Sequence, residues 1–303
     1  MVRGNTLEAA GYYPVGTPFH VTPLVSCMSQ QDLSAGEVER ANGMPVLGLG
    51  TWENTEDGQC ATSVKEALEM GYRHIDTAQV YGNEEQVGEG IAEADVDRED
   101  IFLATKVWID HLDHDGVVET TKESLDKLGV DKVDLLYVHW PSRTYDAEET
   151  LGAFNELVEE GLVDRIGVSN FQPEHMEEAV DVSDEPIFAN QVELHPLLPQ
   201  EEIRAKADEL DIEVVAYSPL ARGEVFDVDE LEEIAEKHDA SAAQVSLAWL
   251  REKGVTAIPK ATSTDHIEDN WESLGVELDD EDVEKIDGIE KTDRRVDPDF
   301  APW

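Results

Sequence analysis

The sequence is poor in positive charge and has no long apolar run. Among its 303 residues, 22 are Lys or Arg and 70 are Asp or Glu, so the formal net charge at pH 7 is −48. Nucleic acids and anionic membranes require positive charge at the contact, which argues against both as partners. No stretch approaches the length that crosses a bilayer. These two absences leave a folded protein with small-molecule partners as the expectation.

The acidic residues are spread along the chain and mixed into helical patterns, as in residues 229–236. Such mixing is typical of a charged folded surface and not of a disordered acidic tail. Molar salt screens charges beyond a few ångströms and makes this density tolerable. The composition therefore predicts a halophilic, cytoplasmic protein that loosens in low salt, and we expect a monomer.

Cysteine is also scarce, and the glycine-rich loop of a Rossmann dinucleotide-binding site is not found. Cys27 and Cys60 are the only cysteines, too few and too far apart for a disulfide framework or a metal cluster, so we expect a reducing compartment and no metal. No Gly-x-Gly-x-x-Gly pattern follows a strand and opens a helix, which argues against a Rossmann dinucleotide site.

Residues 1–35 carry no helical or strand period and no continuous apolar core of a signal peptide. We interpret them as an N-terminal extension of uncertain order, within which Met28 opens a segment that reads like an ordinary amino terminus. Residues 36–303 are predicted to form one domain. It begins with a small hairpin in which Glu37 to Glu39 and Pro45 to Val46 flank the turn signal Asn42-Gly43.

The rest of the chain alternates short apolar segments with amphipathic helical patterns, which predicts a single (β/α)₈ barrel. The predicted strands are residues 47–50, 74–76, 101–105, 133–138, 166–168, 189–192, 213–216 and 256–258. Helical spacing of apolar residues is evident in residues 61–70, 117–128, 151–160, 203–210 and 242–252.

Barrel enzymes carry their active sites where the strands end, so the residues there are the candidates. They are Asp76, Tyr81, Lys106, Trp108, His139, Trp140, Ser169, Asn170, Gln191, Tyr217, Ser218 and Lys260. Each alone has an ordinary structural explanation, such as a helix cap, a hydrogen-bonded core histidine or a solvated lysine. Their placement on consecutive strands favours a functional site.

Seven segments resemble the aldo-keto reductases, in the order that family shows. They are GYRHIDTAQVYGNE at 71–84, ATKVW at 104–108, LYVHWP at 136–141, IGVSNF at 166–171, NQVELHP at 190–196, AYSPL at 216–220 and IPK at 258–260. The resemblance covers about Gly43 to the carboxyl terminus. Within the family the chain is most similar to the prokaryotic branch containing 2,5-diketo-D-gluconate and methylglyoxal reductases.

The resemblance implies NAD(P)H-dependent reduction of aldehydes or ketones by a tetrad of Asp76, Tyr81, Lys106 and His139. Tyr81 would give a proton to the carbonyl oxygen, and we expect Lys106 to bring the pKa of Tyr81 down from about 10. Asp76 would hold the ammonium, and His139 would orient the carbonyl.

The cofactor residues are likewise implied by the resemblance. Ser169, Asn170 and Gln191 would bind the carboxamide, and Tyr217, followed by Ser218, would stack on the nicotinamide ring; core packing is the alternative for Tyr217. The remaining set is Lys260, Thr262 and His266 for the 2′-phosphate, with Glu268 and Asn270 on the adenine side. Ala261 stands where the family has serine and His266 where it has arginine, which weakens the phosphate grip. NADPH is expected, with NADH or dual use left open.

For the substrate, Trp52, Trp108 and Trp140 would line an aromatic pocket, with ordinary packing as the alternative. The resemblance also implies a carboxyl-terminal tail over the barrel mouth, so Arg294 or Arg295 would be available to an acidic or phosphorylated substrate, or would serve an ordinary surface role.

Two other functions remain open on the sequence. One is an NADPH-binding redox sensor without significant turnover. The other is a Schiff-base aldolase with Lys106 as nucleophile, which needs a neutral lysine, whereas a partner Asp76 would keep it protonated.

Overall fold

The computed structural model describes residues 38–56 and 58–303. The predicted extension at 1–35, with Met28 and Cys27, lies outside these residues, as does Glu37 at the start of the predicted hairpin. The boundary between extension and domain therefore stays a prediction.

A two-stranded antiparallel hairpin precedes the barrel. Its strands are β1 (Arg40–Ala41) and β2 (Met44–Pro45). Asn42 and Gly43 both adopt positive φ between them, as the tight turn of a hairpin requires. The predicted turn is confirmed.

Eight strands pair in parallel in the order in which they occur along the chain. They are β3 (Leu49–Gly50), β4 (His74–Asp76), β5 (Phe102–Val107), β6 (Leu135–Val138), β7 (Ile166–Ser169), β8 (Ile187–Glu193), β9 (Glu213–Tyr217) and β10 (Thr256–Ala257). All eight predicted strands are present, with ends displaced by up to two residues.

The sheet closes on itself between its first and last strands. Gly48 donates its N–H to the carbonyl of Ala257 at 2.9 Å, and Gly50 donates to the carbonyl of Pro259 at 3.1 Å. Parallel bridges lie at the same place. Gly50 permits the approach, since a Cβ there would lie 2.7 Å from the carbonyl oxygen of Ile258. The predicted (β/α)₈ barrel is thus confirmed.

Helices follow the strands around the outside of the barrel. They are α1 (Gln59–Met70), α2 (Glu84–Glu93), α3 (His114–Leu128), α4 (Ala147–Glu159), α5 (Pro173–Val182), α6 (Glu201–Glu209), α7 (Asp229–His238), α8 (Ala242–Glu252), α9 (Thr264–Glu272) and α10 (Asp280–Asp287). The five predicted helices are among them, and four begin two to four residues earlier than predicted. Their first turns carry capping and charged residues, which the apolar period does not detect.

The apolar core has an inner and an outer part. Inside the barrel, Ala104, Leu135, Tyr137 and Val215 pack together, and Met44 of the hairpin closes the floor beneath them. The outer part fills the layer between strands and helices. A filled interior leaves the rim formed by the strand ends as the place for chemistry. Across the described ranges, no helix is long and apolar enough to span a bilayer.

Candidate active site

The polar side chains predicted for the site lie at the carboxyl ends of the strands. Asp76 is the last residue of β4, Lys106 is near the end of β5 and His139 follows β6. Ser169 and Tyr217 end β7 and β9 in the same way. Because parallel strands of a barrel end at one rim, residues far apart in sequence meet there.

A buried ion pair occupies the centre of this rim. The Lys106 ammonium donates to Asp76, to the carbonyl of Thr77 at 2.8 Å and to the hydroxyl of Tyr81 at 3.4 Å. The second carboxylate oxygen of Asp76 accepts from Gln191 Nε2 at 2.8 Å. Lys106 is fully buried and Asp76 nearly so. Burial lowers the pKa of Lys106, while the charge of Asp76 and its hydrogen bond oppose that change.

Tyr81 comes from a single 3₁₀ turn, Gln79–Tyr81, that follows β4. Burial raises the pKa of Tyr81 well above its ordinary value, and the negative charge of Asp76 adds to the rise. The expectation that Lys106 lowers this pKa is therefore wrong. Desolvation of the buried phenol outweighs the attraction of the Lys106 ammonium, which the charge of Asp76 partly offsets. At neutral pH the hydroxyl carries its proton, which is the state that a proton donor needs.

His139 lies against Tyr81, with the two ring centroids 5.9 Å apart in an edge-to-face arrangement. Burial lowers the pKa of His139 well below its ordinary value, and the charge of Lys106 lowers it further. The imidazole is therefore neutral at pH 7. Its Nδ1 atom is buried and has no hydrogen-bond partner within the described part of the chain. A neutral imidazole can orient a carbonyl oxygen by hydrogen bonding without bringing a full charge.

Gln79 fixes the turn that carries Tyr81, a role that the sequence did not indicate. Its Oε1 accepts the backbone N–H of Trp108 at 3.0 Å. Its Nε2 donates to Thr120 Oγ1 at 3.1 Å and to Ser124 Oγ at 3.3 Å. One amide thus joins the Tyr81 turn to the residue that follows β5 and to α3. A glutamine in a polar loop gives no sequence signal for such a role.

Glu84, in the first turn of α2, was also missed. This buried carboxylate accepts from Thr105 Oγ1 at 2.8 Å and from Ser124 Oγ at 3.3 Å. Burial raises the pKa of Glu84, and these hydrogen bonds partly offset the rise. The charge of Glu84 acts on Lys106 and favours the ammonium form, which raises the pKa of that lysine. Glu84 therefore stabilises the charged form of Lys106 in the Asp76–Lys106 pair.

The residues predicted to bind a carboxamide form one hydrogen-bonded cluster. Asn170, with a positive φ of 64°, donates from Nδ2 to the carbonyl of His139 and to Ser169 Oγ, both at 3.1 Å. The Tyr217 hydroxyl donates to Asn170 Oδ1 at 2.8 Å. Ser169 Oγ donates in turn to the carbonyl of Gln191 at 2.8 Å. The structure brings these four residues together, and Ser218 follows Tyr217 with a φ of 47°.

The predicted phosphate end lies after β10. Lys260 is exposed and has no carboxylate within ion-pair distance in the described ranges. Thr262 and the N-cap of α9, Ser263, follow it, and Ser263 accepts the N–H of His266 at 3.4 Å. A free ammonium beside a helix N-terminus suits a phosphate. With the ring of Tyr217 and the amides of Asn170 and Gln191 on other strand ends of the same rim, these residues fit a nicotinamide dinucleotide.

Two residues predicted for the adenine side point to different environments. Glu268 is exposed, whereas Asn270 is buried in α9 at 3% exposure. Residues two apart on a helix do not share a face. Glu268 therefore lies on a different face of α9 from Asn270, and the adenine-side role of both stays a prediction.

Aromatic rings cover the substrate side of His139. The Trp108 ring packs edge-to-face on His139 at 5.1 Å, and Phe300 of the carboxyl-terminal tail packs on Trp108 at 6.0 Å and on Trp140 at 5.4 Å. Trp303 lies on the outer side of Trp140 at 5.5 Å. We call Trp108, Trp140, Phe300 and Trp303 the aromatic wall. The sequence identified its two strand-end members and missed the two from the tail.

Trp52, the third predicted pocket residue, makes a different contact. Its ring is 37% exposed and lies 4.5 Å beneath the guanidinium of Arg222. Trp52 follows β3 on the same rim, but it makes no ring contact with the aromatic wall within the described residues. The rim therefore carries two separate aromatic surfaces.

The tail is held in place by Glu193, the last residue of β8. This carboxylate is fully buried and accepts the backbone N–H groups of Arg295 and Val296. His195 Nε2 lies 3.1 Å from the same carboxylate. The Asp293 N–H donates to the carbonyl of Leu197 at 2.9 Å. The tail implied by the resemblance thus lies over the mouth.

Comparison with known proteins agrees with this geometry. Residues 46–291 match the Aldo/keto reductase family. The chain belongs to that family and is an oxidoreductase enzyme, as its reductase relatives indicate.

Two relatives are similar in sequence over most of their length. The chain is 41% identical to methylglyoxal reductase DkgB of Escherichia coli O157:H7 over 263 residues, which is 86% of this chain and 98% of the relative. It is 40% identical to glyoxal reductase of Bacillus subtilis (strain 168) over 255 residues, 84% of this chain and 92% of the relative. Both names describe reduction of small aldehydes.

Solved structures share the fold. An aldo-keto reductase of Bombyx mori in complex with NADP superposes with a TM-score of 0.79 at 36% identity, covering 84% of this chain and 92% of that one. An aldo/keto reductase of Brucella melitensis gives a TM-score of 0.76 at 40% identity, covering 80% and 94%. The family uses nicotinamide cofactors.

Proposed function

We propose that this protein reduces small aldehydes and ketones to alcohols with NADPH, and that Tyr81 is the general acid. The observation that carries the proposal is the contact of the Tyr81 hydroxyl with the buried Asp76–Lys106 pair at the rim beside His139. The bound nicotinamide supplies the hydride. The protein must supply a proton at the carbonyl oxygen and hold that oxygen in place.

Each tetrad residue has a separate task in this proposal. Tyr81 gives its proton to the carbonyl oxygen, and Lys106, 3.4 Å from the phenolic oxygen, stabilises the charge that develops there. Asp76 keeps the ammonium in position and charged. His139 donates a hydrogen bond to the carbonyl oxygen and orients it.

The surroundings of Lys106 disfavour the Schiff-base alternative. Its ammonium has a hydrogen-bond acceptor for each of its three N–H groups, namely Asp76, Thr77 and Tyr81. A nucleophilic lysine needs a free lone pair, which an ammonium in three such bonds lacks. No observation in the described residues favours the redox-sensor function over turnover, and the experiment below separates the two.

For the coenzyme, Lys260 and the N-terminus of α9 support NADPH. Thr262 and His266 would help to bind the 2′-phosphate. Ala261 replaces the serine and His266 the arginine that the family has at these positions, and both replacements weaken phosphate binding. Ser169, Asn170 and Gln191 would hold the carboxamide, and Tyr217, with Ser218, would lie at the nicotinamide ring. Glu268, which is exposed, and Asn270, which is buried in α9, would lie on the adenine side.

We further propose that the protein is a monomer of a halophilic cytoplasm. The support is the formal net charge of −48, carried by 70 acidic residues along the folded chain. Screening lengths of about 3 Å at 1 M salt against about 10 Å at 0.1 M make such a surface tolerable only in strong salt.

The test is NADPH and NADH consumption with methylglyoxal and glyceraldehyde in molar KCl. Tyr81→Phe is compared with Tyr145→Phe, which removes a buried hydroxyl that has no hydrogen-bond partner among residues 38–56 and 58–303. We expect Tyr81→Phe to lower kcat by about 10²- to 10⁴-fold, the contribution of general acid catalysis, with coenzyme binding retained. Tyr145→Phe should retain wild-type kcat. Coenzyme binding without turnover by the wild type would instead indicate the sensor, and borohydride trapping at Lys106 would indicate the aldolase.

A further inference from the structure

Glu84 is a buried carboxylate that has no part in the mechanism proposed above. It lies three positions after Tyr81, in the first turn of α2, and is 2% exposed. Burial disfavours a charged carboxylate unless a cation or hydrogen bonds compensate. Within residues 38–56 and 58–303, no Lys, Arg or His lies within ion-pair distance of Glu84. The chain thus keeps a buried charge that costs stability, which calls for an explanation.

One oxygen of Glu84 is bound to the strand that carries Lys106. Thr105 Oγ1 donates to Glu84 Oε1 at 2.8 Å, and Lys106 is the next residue of β5. Successive side chains of a strand point to opposite faces, so Thr105 faces α2 while Lys106 faces the barrel interior and Asp76. Across this one strand, the negative charge of Glu84 raises the pKa of Lys106. Because both groups are buried, even molar salt screens their interaction little.

The other oxygen of Glu84 is linked to the turn that carries Tyr81. Ser124 Oγ lies 3.3 Å from Glu84 Oε2, and the same hydroxyl oxygen accepts from Gln79 Nε2 at 3.3 Å. Gln79 begins that turn. One carboxylate therefore joins the two elements whose side chains make the 3.4 Å contact between Lys106 and Tyr81.

Two carboxylates and several uncharged groups surround the Lys106 ammonium. In the described part of the chain, Asp76 and Glu84 are the carboxylates that raise the pKa of Lys106. Burial holds the pKa of each nearby tyrosine above its ordinary value and that of each nearby histidine below it, so these rings are uncharged at neutral pH. The other ionisable groups that face Lys106, Tyr81 or Glu84 are His74 of β4, Tyr137 of β6, His139 after β6, Tyr217 of β9 and Lys127 of α3. Removal of the Glu84 charge would leave Asp76 alone to hold the ammonium.

We propose that Glu84 is a positioning residue for the reduction, which keeps Lys106 charged and in contact with Tyr81 and thereby extends turnover to higher pH. Lys106 acts as an ammonium, because it stabilises the charge that develops when Tyr81 gives up its proton. Without the negative charge of Glu84, Lys106 would lose its proton at a lower pH. Tyr81 would also ionise at a lower pH, so both changes end turnover earlier on the alkaline side. This inference rests on the proposed reductase function.

The test is the pH profile of kcat for Glu84→Gln, measured with NADPH and glyceraldehyde in molar KCl from about pH 6 to about pH 10. Glutamine has the same size, and Thr105 can donate to its carbonyl oxygen while Ser124 accepts from its NH₂ group. We expect the alkaline fall of kcat to begin about one pH unit lower than in the wild type, a tenfold change in the proton affinity of Lys106. The plateau value of kcat should fall by less than about tenfold, since the tetrad itself is intact.

Two further variants separate the charge of Glu84 from its shape. Glu84→Asp keeps the charge and should keep the alkaline limit of the wild type, whatever its plateau value. Glu85→Gln is the matched control, because it removes the same charge from the next residue, which is exposed. Molar salt screens that position, so the profile of Glu85→Gln should match that of the wild type.

Urea unfolding in the same buffer distinguishes a positioning role from a structural one. Glu84→Gln should be at least as stable as the wild type, since it removes the cost of burying a charge. A variant that does not fold, or one that lowers the plateau without moving the alkaline limit, would show a structural role and overturn the proposal. An alkaline limit that moves equally in Glu84→Asp would also overturn it, because the charge is kept there. These results leave the proposed reductase function intact, whereas a wild type that reduces no carbonyl would refute that function.

Discussion

The Glu193 carboxylate at the end of β8 accepts the backbone N–H of Val296 at 2.8 Å, across 103 positions of sequence. Its other oxygen accepts the N–H of Arg295 at 2.6 Å. A buried carboxylate that binds main-chain N–H groups holds the backbone whatever side chains it carries. The barrel thus sets where Phe300 and Trp303 lie over the mouth.

Glu193→Gln should release the tail. Glutamine has the same size, but its NH₂ group faces a backbone N–H where the carboxylate had an acceptor. We expect a loss of about 1–3 kcal/mol in tail attachment, seen as faster hydrogen exchange at Arg295 and Val296 and as greater quenching of Trp303 fluorescence by acrylamide. The control is Glu224→Gln, which removes a more exposed partner of Arg295 and should change little. Unaltered exchange at Val296 in Glu193→Gln would disprove the anchoring role.

His74 should make stability fall in mild acid. Burial lowers its pKa to about 4, whereas the unfolded value is about 6.5. The unfolded chain therefore binds more protons between these values, and stability falls as pH drops from about 6.5 to about 4, by about 3 kcal/mol in all. His74→Gln removes this pH-dependent contribution to the free energy of unfolding. The stability difference between wild type and variant, measured by urea unfolding in molar KCl, should shrink by about 2 kcal/mol from pH 8 to pH 5. A difference independent of pH would contradict the prediction.

Gly50→Ala and Gly152→Ala should shift stability in opposite directions. A Cβ on Gly50 meets the Ile258 carbonyl oxygen at 2.7 Å at the barrel closure, whereas one on Gly152, inside α4, meets nothing within 4 Å. We expect Gly50→Ala to cost about 1–3 kcal/mol from overpacking. Gly152→Ala should gain about 0.5–1 kcal/mol, because alanine is the better helix former. Thermal unfolding of both variants decides this, and a tolerated Gly50→Ala would mean that the closing strands are less tightly opposed than described.

Salt should stabilise the folded chain steeply. The net charge of −48 is screened over about 10 Å at 0.1 M and about 3 Å at 1 M, so Tm should rise by several degrees between these KCl concentrations. Sucrose at matched osmolality provides the comparison, because it is excluded from the surface without screening charge. An equal rise of Tm in sucrose would show that the solute stabilises by its exclusion from the protein surface and not by screening. No rise of Tm in KCl would contradict the proposal of a halophilic protein.

The barrel was predictable from the sequence because the strands are short segments rich in apolar residues, with a polar residue near the carboxyl end of most of them. That same pattern located Asp76, Lys106 and His139. The start of β6 was placed two residues early, at Val133, because its apolar side chain continues the pattern although Val133 only forms an isolated bridge with Val163.

Contacts between distant segments could not be predicted. Nothing local in Glu193 indicates that it binds the tail, and nothing in Phe300 indicates that it packs between two strand-end tryptophans. The direction of the Tyr81 pKa was mistaken for a related reason. The sequence supplies Lys106 and its partner Asp76, and only the structure shows that Tyr81 is buried deeply enough for desolvation to outweigh the lysine.

The closure of the sheet between Gly50 and Pro259 has a consequence for synthesis of the chain. The first barrel strand, β3, acquires its second neighbouring strand only after β10 has been synthesised, about two hundred residues later. Contacts this distant in sequence make folding slow. The mouth, with its tail anchored after that, is completed only when almost all of the polypeptide has left the ribosome, so shortened products should bind no coenzyme and consume none.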